Sequence, residues 1–83
     1  MKSSFIRAFI LIRSKPGTSE EIVRARNIKG VTIANSVFGR FDAVLVVEAK
    51  NLEELSKIVY EIIEKTPNIV HTETLLTFSY PPE

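Results

Sequence analysis

The sequence predicts a ferredoxin-like α+β domain with the order βαββαβ. Its four strands form an antiparallel sheet, and both helices lie on one face. Three observations predict it. The chain has 83 residues, enough for one domain and too few for two. Two helix-like segments, each opening on a capping residue, divide the strand-like runs. Each half then reads as a strand, a crossover helix and a second strand parallel to the first, a unit that is right-handed in nearly all folds.

The first strand is read over Ser4–Ser14. Phe5, Arg7, Phe9, Leu11 and Arg13 point one way, and Ile6, Ala8, Ile10 and Ile12 the other. A strand apolar on both faces is a central one. Lys15-Pro16-Gly17 makes a turn. Thr18 lies three residues before Glu21, the spacing of a capping box, and opens a helix over Ser19–Asn27. Arg24, Arg26 and Lys29 near the end of that helix suit its dipole. Gly30 ends the region.

Val31–Phe38 is the second strand, and Gly39-Arg40-Phe41-Asp42 is a hairpin connection. Ala43–Ala49 is a nearly continuous apolar strand, again central. Asn51 caps the second helix, with Glu54 three residues on. Leu52, Leu55, Ile58, Val59, Ile62 and Ile63 recur at helical spacing, and Glu53 and Lys57 can pair across one turn. Thr66-Pro67-Asn68 stops the helix, and Ile69–Tyr80 is the fourth strand.

Two helices cover only one face of such a sheet. Whether Phe9 and Leu11 or Ile10 and Ile12 meet the helices, the uncovered side stays apolar, and a patch of that kind marks an interface. Pairing of two sheets about a two-fold axis is the simplest cover. The 45% apolar content is generous for so small a body and points the same way.

Composition excludes several chemistries. Cysteine is absent, which removes disulfides, thiolate metal sites and a cysteine nucleophile. Lys plus Arg is 11 and Asp plus Glu is 10, a net charge of +1 that gives no reason to expect direct binding of nucleic acid. No apolar run approaches membrane-spanning length, so no membrane partner is expected and the cytoplasm is the expected location. His71 is the only histidine and has no nucleophile or acid at catalytic spacing, so no catalytic residue, metal or cofactor is expected. The third strand lacks the aromatics with which RNA-binding domains of this order stack bases.

Asp42 is the polar residue of most interest. It can cap its turn by accepting backbone N–H bonds, or hold a cationic group beside apolar walls. An α-amino acid has one ammonium and one carboxylate. Asp42 supplies an acid for the first. Backbone N–H groups near Gly39 and the hydroxyls of Thr72 and Thr74, two apart on the fourth strand, supply donors for the second. Gly39, without a side chain, lets a ligand approach the backbone.

Taken in order, Lys-Pro-Gly (15–17), Gly-Arg-Phe-Asp (39–42), Asn-Leu-Glu-Glu-Leu (51–55) and Thr-Pro-Asn-Ile-Val-His-Thr-Glu-Thr-Leu (66–75) resemble the effector domain of Lrp/AsnC transcription regulators. That domain is called RAM, for regulation of amino-acid metabolism, and the resemblance covers residues 1–83 as one domain. It implies a module without a DNA-binding helix-turn-helix, since three residues stand before the first strand. It further implies sheet-to-sheet homodimers that assemble further, often to octamers, with a small amino acid between dimers. The family's ligand positions map onto Gly39, Arg40 and Asp42 and onto Thr72 and Thr74. Phe41 stands where the family usually has tyrosine. Phe38 stands where it commonly has a small polar residue, and can narrow or fill the pocket. The reading is a non-enzymatic amino-acid-binding and oligomerisation module. Two rivals stay open: a structural partner that co-assembles with full-length Lrp/AsnC regulators without ligand, and a small enzyme of the dimeric α/β-barrel type.

Overall fold

The computed structural model describes residues 5–77. The elements run β1 (Ile6–Ser14), α1 (Ser19–Val23), a 3-10 turn (Arg24–Asn27), β2 (Val31–Ser36), β3 (Ala43–Ala49), α2 (Leu52–Lys65) and β4 (Ile69–Leu76). The sheet order is β2-β3-β1-β4, and every neighbouring pair is antiparallel. β1 and β2 therefore run the same way on either side of β3, so the ferredoxin-like α+β arrangement is as expected. β1 and β3, the two strands read as central, are the two inner strands.

Ala8, Ile10 and Ile12 face the helices, with Leu45 and Val47 beside them. Ile22 and Ala25 from the first helical segment and Leu55, Ile58 and Ile62 from α2 close this core. The last three are the inward positions of the predicted periodicity, while Leu52 and Ile63 on its flank stay exposed. Asn51 caps α2 as read: its Oδ1 accepts the Glu54 N–H at 2.8 Å, and the Glu54 carboxylate reaches back to the Lys50 N–H at 2.6 Å. The predicted Glu53–Lys57 contact is replaced by a Glu61–Lys65 ion pair at 2.9 Å.

Three expectations need correction. The helix over Ser19–Asn27 is five α-helical residues followed by the tighter turn, which the Ile28 N–H closes on the Ala25 carbonyl at 2.9 Å. The capping box at Thr18 does not form. Thr18 lies at φ −114° and ψ 7° rather than extended, its hydroxyl donates to the Lys15 carbonyl at 2.7 Å, and Glu21 accepts from Asn68 Nδ2 at 3.0 Å. β2 stops at Ser36, two residues early, because the Val37 N–H pairs with the Asp42 carbonyl at 3.0 Å and closes the hairpin there. At the ends of the sheet, Ser4 and residues 78–80 of the predicted strands lie outside the described residues.

Gly30 shows how tightly β2 is led into the sheet. Its φ is +100°, and a Cβ there would run into Ile58 Cδ1.

Candidate functional site

Among the described residues, one face of the sheet carries no helix. Cross-strand partners place Val46 between Phe9 and Ile33, with Leu75 on the far side of Phe9. Leu11 and Val44 continue the same surface. Ile33 and Leu75, on the two edge strands, are each 47% exposed. Arg7 and Glu48 form an ion pair at 2.8 Å at one end of this face, and Arg13 stands opposite His71 at the other. The uncovered face is thus an apolar band with charged ends.

The hairpin over residues 37–42 borders the Arg13 end. The Asp42 N–H donates to the Ile12 carbonyl at 2.8 Å. The Asp42 Oδ2 accepts the Ser14 N–H at 2.8 Å, so the side chain adds one rung beyond the end of the β1–β3 ladder. The side chain thus accepts a backbone N–H, but from the neighbouring strand rather than from its own turn, as the turn chemistry had suggested. Oδ1 makes no hydrogen bond among the described residues. Arg13 Nε and Nη2 both donate to the Arg40 carbonyl, at 3.3 and 3.2 Å. Gly39 sits at φ +113°, and none of the described residues comes within 4 Å of where a Cβ would stand. Its neighbour Phe38 is fully exposed.

Gly39, Arg40 and Asp42 therefore share one braced loop. Thr72 and Thr74 do not join them within one chain. They stand opposite Ile12 and Ile10 on the helix-facing side of β4, and β1 lies between β4 and β3. Two strand spacings are about 10 Å. Thr74 instead helps line an apolar cleft of about 440 Å³ with Leu55, Ser56, Val59, Tyr60 and Leu76.

Two residues of the loop's setting escaped the sequence reading. Arg13 was legible only as a strand position, yet it fixes the loop backbone. Ser14 donates its N–H to Asp42, and its buried hydroxyl has no hydrogen-bond partner among the described residues. Nothing in a strand-terminal serine signals that.

Comparison with known proteins places these features in a family. The family described as Lrp/AsnC ligand binding domain matches residues 7–82. A helix-turn-helix-type transcriptional regulator of Pyrococcus furiosus, itself uncharacterised, is 36% identical over 75 residues, which are 86% of this chain and 50% of that protein. The chain spans about half the length of the curated relatives it matches. The crystal structure of a Thermus thermophilus protein superposes with a TM-score of 0.83 at 33% identity, covering 94% of this chain and 99% of that one. A transcriptional regulator of Neisseria meningitidis, solved in complex with L-Met, shares the fold with a TM-score of 0.75 at 14% identity, over 94% of this chain and 53% of that one.

Proposed function

This chain belongs to the Lrp/AsnC ligand-binding domain family, and we propose that it is a non-enzymatic sensor module that binds a small amino acid at a boundary between copies of itself. The observation that carries the reading is the state of Asp42. One carboxylate oxygen is fixed by the Ser14 N–H, which orients the group and leaves the other for an ammonium. Gly39 offers open backbone beside it. A carboxylate then meets the loop N–H groups and the hydroxyls of Thr72 and Thr74 from a neighbouring copy, since one chain does not bring these together. Arg40 stands at the rim of the same loop. The L-Met complex of the Neisseria relative supports an amino acid as the ligand class.

Association follows from the uncovered face. The band around Phe9, Val46 and Leu75 pairs with its own copy about a two-fold axis, and the homodimers assemble further, up to octamers. No described helix is long and apolar enough to cross a membrane, and a cytoplasmic setting goes with the reading. A second reading has one observation in its favour. A fully exposed Phe38 beside Gly39 can occupy the ligand's space in a neighbouring copy, which suits a structural partner of full-length Lrp/AsnC regulators.

Thermal shift against the proteinogenic amino acids tests the proposal. A ligand at about one hundred times its Kd adds about 2.7 kcal/mol to stability. Stabilisation by one or a few amino acids supports the sensor; none at all leaves the structural partner.

A further inference from the structure

The sequence assigns the basic residues after α1 to its dipole, and the structure separates them. Arg26 does turn back, its Nε donating to the Val23 carbonyl at 3.4 Å. Arg24 and Lys29 do not. Arg24 lies in the last turn of the 3-10 segment that follows α1, but neither it nor Lys29 has a hydrogen bond or ion pair among the described residues. Both instead line a cleft of about 480 Å³ between the 3-10 turn and the C-terminal end of α2. That volume lies within the range of about 300–1,000 Å³ typical of small-molecule sites.

The lining sets the chemistry. Ala25 and Ile28 belong to the apolar core and give an apolar floor, and Pro67 gives an apolar wall. Glu61 and Lys65 neutralise one another across their 2.9 Å contact. Glu21 offsets one of the two remaining cations, which leaves one net positive charge. The α2 carbonyl end repels an anion, so negative charge belongs on the opposite wall, at Arg24 and Lys29.

We propose that this cleft is a second ligand site, separate from the Asp42 loop, for a small organic monoanion: a carboxylate held by Arg24 and Lys29 with its apolar body on Ala25, Ile28 and Pro67. Of the three cations of this segment, Arg24 and Lys29 are the two that line the cleft.

Phenylacetate is a suitable probe, with neutral phenylacetamide as its control, followed by amide chemical shifts. The expected result is saturable movement of the Ala25, Ile28 and Lys29 amides with those of Gly39 and Asp42 unmoved. Arg24→Gln and Lys29→Gln, both at exposed positions, each weaken binding about tenfold. Phenylacetamide binds more weakly than phenylacetate. Asp42→Asn leaves the phenylacetate titration unchanged, so failure of the amino-acid site and failure of this one are told apart. The proposal is overturned if the Ala25 and Ile28 amides do not move, if both glutamine variants bind like wild type, or if acid and amide bind equally.

Discussion

Replacing Leu75 with Asp tests whether the uncovered sheet face is where copies of the chain meet. The choice of residue matters. Phe9 and Val46 lie at the centre of the band, but Val46 is only 8% exposed within one chain, wedged between Phe9 and Ile33. A charge there damages the monomer as well as the dimer. Leu75 is 47% exposed and sits on edge strand β4, so Leu75→Asp leaves the fold of a single chain nearly intact. In a two-fold interface the change occurs twice. Burying an unpaired carboxylate costs at least about 2 kcal/mol, so two cost about 4 kcal/mol, or roughly a thousand-fold in dimer Kd. Light scattering at micromolar concentration reads the result. Wild type is expected above the 9.4 kDa of one chain and Leu75→Asp at that mass, with circular dichroism unchanged. Ile33→Asp, equally exposed at the other edge, repeats the test. Wild type at 9.4 kDa, or both variants at the wild-type mass, would refute the reasoning.

The other predictions concern single anchors. Asp42→Ala strands the Ser14 N–H and is expected to cost about 1–3 kcal/mol in urea unfolding, while Asp42→Asn, which keeps an acceptor oxygen, costs under about 1 kcal/mol; equal losses would mean the rung to Ser14 is not what the side chain contributes. Gly30→Ala forces a side chain to φ +100° against Ile58 and should cost about 1–3 kcal/mol, and an unchanged midpoint would contradict that geometry. The Lys65 ammonium is held above its ordinary pKa, first by its hydrogen bond from Nζ to Glu61 and then by the charge of Glu61. A raised folded-state pKa means the contribution is full below the ordinary lysine value and fades as pH rises through the higher one. NMR titration of Lys65 should show its midpoint fall in Glu61→Gln, and no movement would remove the pairing.

Much of this fold was legible because its signals are local and mutually consistent. Period-two alternation sorted β1 into two apolar sets, and the Asn51 cap with Leu55, Ile58 and Ile62 defined α2. Which β1 set meets the helices was not legible, because both sets are apolar and only packing chooses. Thr18 and Asn51 show the limit of a motif. Both stand three residues before a glutamate, but only Asn51 has the extended backbone a cap requires. The Gly39–Asp42 loop could be found because its residues are close in sequence. The position of Thr72 and Thr74 depends on the long-range pairing of β4 with β1, whose register shifts between Arg13 and Ser14.

Calorimetry of wild type and Asp42→Asn with the amino acid that stabilises the chain most tests the central claim directly. Saturable heat is expected for wild type, with an affinity about ten- to one-hundred-fold lower for Asp42→Asn, the loss of one charge-assisted hydrogen bond. Equal affinities would take Asp42 out of the site, and no heat with any amino acid would contradict ligand sensing by this chain.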